Sequence, residues 1–197
     1  MSILKTHSTT LRKNNIVLRP LCDEHLPLLY KWNADPEVCY WSDTESDGTQ
    51  GFSEESVRSI FGSISKNSIC FLVEVNGIPI GDIWLQNMNI AEISEMYNGL
   101  DVRRIDYEIG EKEYWGKGFG TMFIGMVIDF AFSSENVDLL YCFVGDYNER
   151  SIKALLKNGF KEHMRKESET DKSKEKEEIH LVLTRQHYES LCNHGTC

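Results

Sequence analysis

Tyr114-Trp115-Gly116-Lys117-Gly118-Phe119-Gly120-Thr121 sets three glycines close together, between a strand-like run, Arg104–Ile109, and an apolar helical pattern that opens at Phe119. A glycine-rich turn leading from a strand into a helix N-terminus suits a pyrophosphate. Glycine lets the backbone come close to the ligand, and the first-turn N–H groups, which have no partner inside the helix, point at it. The stretch predicts a phosphorylated cofactor.

Working outward, the helix after the turn carries apolar residues at 119, 123, 126, 127, 130 and 131, one face of a 3.6-residue period. Leu139–Val144 is continuously apolar and reads as a strand buried on both faces. Glu149–Asn158 is a short helix with Gly159 at its C′ position; Phe160 starts a strand and Ile179–Leu183 is the last one. Upstream, Ile16–Pro20 is the first strand. Asp23 reads as the N-cap of a helix bearing Leu26, Leu28, Leu29 and Trp32, which Asp35-Pro36 stops. Ser53 opens a helix with Val57, Ile60, Phe61 and Ile64 as its apolar stripe. Ile69–Val75 and Ile78–Leu85 form a hairpin about Asn76-Gly77. Residues 42–53 and 86–101 read as polar irregular loops, and 161–178 as a solvated charged loop. The order β-α-α-β-β-β-α-β-α-β-β predicts an α/β domain, a mixed sheet flanked by helices. It spans residues 15–185, after an N-terminal extension (1–14) and before a C-terminal tail (186–197).

Composition narrows the partners. The chain has 197 residues, 41% of them hydrophobic, and a formal net charge of −10. That charge argues against nucleic acid and anionic membrane and is compatible with a cationic substrate. No apolar run approaches the roughly 20 residues that span a bilayer, and the N-terminus lacks the layout of a signal peptide. The expectation is a soluble cytoplasmic protein, monomer or homodimer. None of the six cysteines forms a CxxC pair. Cys70 and Cys142 read as core residues, Cys192 and Cys197 as exposed thiols in a polar tail, and no metal is expected.

The element order and two motifs resemble the GNAT superfamily of acetyl-CoA-dependent N-acetyltransferases. One motif is Trp115-Gly-Lys-Gly-Phe-Gly120, the family's Gln/Arg-x-x-Gly-x-Gly/Ala loop with Trp at its first position. The other is Asn148-Glu-Arg-Ser-Ile-Lys-Ala-Leu-Leu-Lys-Asn-Gly-Phe160, similar to the family's Asn-x-x-(Ala/Ser)…Gly-Phe pattern. The resemblance implies a sheet splayed between its fourth and fifth strands, Arg104–Ile109 and Leu139–Val144, with the acetyl thioester in the gap. It implies acetyl-CoA as co-substrate, bound by Ile109, Trp115, Gly116, Lys117, Gly118, Phe119, Gly120, Thr121 and Asn148.

The reaction so implied is attack of a neutral amine on a thioester. An alkylamine with a pKa of about 10.4 arrives protonated, so the site needs a proton acceptor. Arg104, Asp106 and Glu108 alternate along one strand and share a face. Asp106 is the first candidate for the base and Glu108 the second. The chain departs from the family at Leu155, where many members carry a Tyr that protonates the leaving thiolate. Val102-Arg-Arg-Ile-Asp106 and Leu183-Thr-Arg-Gln-His-Tyr-Glu189 resemble segments of the aminoglycoside 6′-N-acetyltransferases, which implies an antibiotic-resistance enzyme. Ser151–Phe160 resembles the ribosomal-protein N-terminal acetyltransferases instead. A polycationic acceptor needs carboxylates and flat apolar surfaces. Trp41, Asp43, Trp84, Glu95, Tyr97 and Asp101 are the candidates, with Glu45, Asp47 and Glu92 beside them. A polyamine acceptor, or an acetyl-CoA sensor without turnover, are the remaining readings.

Overall fold

Asn76 and Gly77 reverse the chain at φ of 53° and 77°, the left-handed pair that a tight hairpin turn demands. The turn joins β3 (Ser68–Val75) to β4 (Ile78–Asn87), in antiparallel register from Ser68↔Gln86 to Val75↔Ile78. The computed structural model describes residues 2–43, 47–167 and 174–193; Glu45, Cys197 and part of the expected 161–178 loop lie outside them. The described chain forms two compact units, Met1–Gln86 with Asp106–Lys117, and Asn87–Ile105 with Gly118–Cys197.

In the first unit β1 (Leu11–Lys13), β2 (Ile16–Pro20), β3 and β4 pair antiparallel in that order. The end of β5 (Val102–Ile109) follows from Asp106 onward. The helices α1 (Leu26–Asn33), α2 (Pro36–Ser42) and α3 (Glu54–Ile64) belong to the same unit. Leu21, Leu29, Trp32, Val57, Phe61, Cys70 and Leu72 make its core, and Leu4 from the N-terminal segment joins them. Ser53 caps α3, accepting from the Ser56 N–H at 3.1 Å. Asp35 caps α2, accepting from the Glu37 N–H, so Asp35-Pro36 ends one helix and opens the next. Asp23 is not the N-cap of α1. It begins a 3₁₀ turn, and its carboxylate accepts from the backbone N–H groups of Ile3 and Leu4, tying down the N-terminal segment.

In the second unit β5 and β6 (Leu139–Gly145) run parallel, from Val102↔Leu139 to Arg104↔Tyr141. The pairing ends there although both strands continue. β8 (Glu177–Thr184) lies antiparallel to β6 and to β7 (Lys161–Glu167). The sheet order is β1-β2-β3-β4-β5-β6-β8-β7, a mixed sheet in an α/β fold, as the element order predicted. α5 (Phe119–Ser133) buries Phe123, Ile124, Val127, Ile128, Ala131 and Phe132, and α6 (Glu149–Lys157) packs against it. α7 (Arg185–Asn193) follows β8, and Arg185 donates to the carbonyls of Phe132 in the last turn of α5 and of Val137 beyond it.

Three expectations are corrected. Residues 161–167 are an edge strand rather than a loop. Its backbone pairs with β8 on one side, and its charged side chains stay in water, a common way to protect an edge. Residues 86–101 contain α4 (Ala91–Met96), held by buried Ile93. Cys192 is disulfide-bonded rather than a free thiol, on a helix where a polar tail was expected.

Gly110 lies against the indole of Trp32; a Cβ there would fall 2.0 Å from Cγ. Gly110→Ala is expected to destabilise the protein by about 1–3 kcal/mol, the usual cost of overpacking, read as a lower urea midpoint. An unchanged midpoint would show that the indole moves aside.

Candidate active site

Each unit holds part of the expected site. In the first, β4 presents Asp82, Trp84 and Gln86 at alternate positions, and Leu72, Cys70 and Ser68 of β3 stand opposite them. Asp106 and Glu108 alternate likewise on β5. Gly81 makes the approach of β5 possible, because a Cβ there would lie 2.1 Å from the Glu108 carbonyl oxygen. Glu108 Oε1 accepts from Asn33 Nδ2 at 3.2 Å, and the Ser42 hydroxyl also supports the carboxylate. No cation pairs with Glu108 among the described residues. Burial dominates its chemistry and raises the carboxyl to about 7.

On β4, the strand beside Glu108, lies a residue that the sequence reading passed over. Asp82 is 0% exposed, and neither of its oxygens accepts a hydrogen bond. Burial holds its carboxyl well above the usual range, and the Glu108 charge adds to the rise. The Trp84 side chain works in the opposite direction without closing a hydrogen bond of normal geometry. Its one sequence signal was a lone acid inside the apolar run Ile78–Leu85. Cys70, across the ladder, is pushed up to about 12 by burial and by Asp82 and Asp106. Cys39 is raised by burial too, so neither thiol is a ready nucleophile.

Trp84 packs edge-on to Phe61 at 5.0 Å and is half-buried. Trp41 stands edge-on to Tyr40 in α2, and Asp43 closes that helix. The approach to the glycine turn is tied to the same helices. Glu111 accepts from Lys31 and from the Trp32 indole, and Lys112 pairs with Asp35 and Glu37.

The glycine turn has the local form an anion needs. Trp115 Nε1 donates to the Ile109 carbonyl at 2.6 Å. Gly116 and Gly118 take φ of 70° and 84°, and no atom lies within 4 Å of a Cβ built on either. Gly118 is the N-cap of α5, which has neither a side-chain cap nor an acid in its first turn. Such a helix end, fronted by open space, fits a pyrophosphate. The Lys117 ammonium lies 5.6 Å from the centre of the Tyr114 ring.

In the second unit Asn158 donates to the carbonyls of Thr121 and Ala154, pinning the first turn of α5 to α6. Asn148 caps α6, accepting from the Ser151 N–H at 3.2 Å. Leu155 is buried in the core and offers no proton. Asp101 is held by Arg103 through a bidentate pair, and Glu92 by Lys166 at 2.7 Å. Glu95 is exposed on α4. The Tyr97 hydroxyl meets His163 Nε2 at 3.4 Å.

Residues 15–161 match the acetyltransferase (GNAT) domain family, and the chain belongs to it. It is similar to aminoglycoside N(6′)-acetyltransferase type 1 of Klebsiella pneumoniae, 24% identical over 195 residues, 96% of this chain and 92% of that protein. Spermidine N(1)-acetyltransferase of Escherichia coli (strain K12) is 26% identical over 149 residues, 75% of this chain and 73% of that protein. Among solved structures, aminoglycoside acetyltransferase AAC(6′)-Ib with coenzyme A matches with a TM-score of 0.71 at 20% identity, over 89% of this chain and 98% of that one. The protein is an acetyl-CoA-dependent N-acetyltransferase of the GNAT type, related to aminoglycoside and polyamine acetyltransferases. Among the described residues no helix is long and apolar enough to cross a membrane.

Raised carboxyls have a consequence for stability. Asp82 and Glu108 hold protons in the folded state at pH values where the unfolded chain, with carboxyls near 3.8 and 4.5, has lost them. Their contribution to stability is therefore fully present below those values and is lost as pH rises through about 7. Asp82→Asn is expected to raise the melting temperature at neutral pH and flatten its decline above pH ~5. A variant with the slope of the wild type would show that Asp82 is already ionised.

Proposed function

We propose that this enzyme acetylates a primary amine of a cationic small molecule, an aminoglycoside at its 6′-amine, as an antibiotic-resistance enzyme would. The carrying observation is Glu108: a carboxylate with no cation paired to it among the described residues, partly exposed, fixed by Asn33 and raised to about 7. Acceptor-only groups on a water-poor strand face favour an ammonium, and a base near neutral pH suits taking its proton. The similarity to the Klebsiella protein along almost the whole chain supports the aminoglycoside reading. The match to a spermidine acetyltransferase keeps a polyamine as the second acceptor.

In this mechanism the backbone amides of residues 116–121 hold the pyrophosphate, with Lys117 and Thr121 beside it. Acetyl-CoA supplies an acetyl thioester. Asp106 draws the ammonium to the strand face. In this reading Glu108, the second candidate from the sequence, takes the ammonium's proton ahead of Asp106, the first. The neutral amine nitrogen then bonds to the thioester carbon as the C–S bond breaks. Leu155 gives the thiolate no proton, so solvent or the amine's second proton completes the thiol. A thiol with a pKa of about 8.5 leaves adequately without a dedicated acid. Trp41, Asp43 and Trp84 are the proposed acceptor contacts of the first unit; Glu95, Tyr97 and Asp101 are separate candidates within the second.

Thiol release should be seen with kanamycin or tobramycin and be weaker with spermidine. Turnover only with an N-terminal peptide of a ribosomal protein would overturn the acceptor assignment. Glu108→Gln should lower kcat about a hundred-fold or more and remove the rise of rate with pH through about 7, with CoA affinity intact. Asp106→Asn should act mainly on KM; the reverse split would return the base to Asp106. Gly118→Ala, forced into left-handed backbone, should weaken CoA binding while leaving the acceptor side unchanged.

A further inference from the structure

Asp82 has no role in the transfer as described, yet its position carries a cost. Both oxygens are buried without a hydrogen bond, on the strand next to Glu108 and under a backbone approach that only Gly81 permits. Unpartnered buried polar atoms are rare, and a buried carboxylic acid that destabilises the fold at neutral pH calls for a use. The stripe continues along β4, where Trp84 Nε1 and Gln86 Oε1 also lack partners. Trp84 from β4 and the Glu108 charge from β5 act on Asp82, and Asn33 from α1 and Ser42 from α2 act on Glu108; the thiols of Cys70 on β3 and Cys39 on α2 feel Asp82 and Glu108 in turn, and none of these groups is a cation.

We propose that Asp82 is a proton-holding residue of the acceptor site: with Glu108 on the neighbouring strand it forms a charge-coupled carboxyl pair that carries one proton, with no hydrogen bond between its members, and surrenders it when an ammonium seats on Glu108. This rests on the proposed amine-acceptor reading of the same site. Before binding, the pair carries a single negative charge, with the proton on the fully buried member. An incoming ammonium supplies the positive charge that the proton had supplied. The proton leaves by way of Glu108, the member that reaches the surface, and both carboxyls are then ionised against the cation. The ammonium next gives its proton to the pair, which regains its one-proton state, and the free amine attacks. Protons balance. Acetylation of an ammonium liberates one proton overall, and it is the one expelled on binding.

Asp82 is a positioning residue here, acting through Glu108, so its test needs a readout that packing alone does not move. Calorimetric titration of the enzyme–CoA complex with kanamycin and with spermidine, in buffers of different ionisation enthalpy about one pH unit above the Glu108 value, counts protons released. Asp82→Asn, which keeps the shape, should release about one proton fewer than the wild type. Glu108→Gln, which leaves Asp82 without a path, should also lose that proton. The infrared spectrum of the free enzyme should show a protonated-carboxyl stretch that Asp82→Asn abolishes. Equal proton counts in wild type and Asp82→Asn, or no such band, overturn the pair. A band present with neither amine binding overturns the acceptor reading, and the exchange step falls with it.

Discussion

The passage of β5 over Gly81 is the constraint on which the first unit's half of the site depends. A side chain at position 81 would meet the Glu108 carbonyl, so this one missing Cβ lets β5 lie close to β4. Close packing excludes water from between the strands. Without water, a carboxylate on either strand loses its main source of stabilisation. The Asn33 amide and the Ser42 hydroxyl return a part of it to Glu108. Asp82 receives less and responds by keeping its proton. The raised carboxyl of Glu108, on which its proposed role as base rests, thus follows from backbone packing one residue away from Asp82.

The same constraint opposes stability to function. Each raised carboxyl makes the folded state less favourable as pH climbs toward the range in which the base must be ionised. The first unit is built to bear this. Trp32, Phe61 and Leu72 belong to its apolar core, and Lys31, Trp32, Lys112 and Asp35 tie the approach to the glycine turn down onto α1 and α2. Those ties lie outside the reacting face. They fix the end of β5 without placing a cation against Glu108, which would neutralise the base.

Much of this was legible in the sequence because the signals were local. The Asn76-Gly77 turn, the Ser53 cap, the Gly159 stop and the left-handed glycines at 116 and 118 are each required by backbone geometry, and each is where the residue types placed it. The alternation of Asp106 and Glu108 needed only the two-residue period of a strand. What escaped was set by tertiary contact. Asp82 sits in an apolar run, and nothing local says which acid a neighbouring strand will bring beside it. The charged stretch 161–167 lacks an apolar face, yet pairing with β8 alone makes it a strand. Asp23 has the composition of an N-cap, but the N-terminal segment supplies better donors for its carboxylate.

Leu155 is easier to understand beside the carboxyl pair. A family Tyr at that position would return a proton to the departing thiolate. In this chain the position is filled by a core side chain. Taking the acceptor's charge away before bond formation relieves the need for an acid afterwards, because a neutral amine keeps a second N–H proton that the transfer itself makes acidic. The proton acceptor must then be strong enough to deprotonate the ammonium but weak enough to discharge between turnovers. A single solvent-exposed carboxylate, with a pKa of about 4, is too weak a base for the first task. Two charge-coupled carboxyls that carry one proton in a water-poor strand face can meet both demands. Their combined affinity for the proton rises when the site is empty and collapses when a cation arrives.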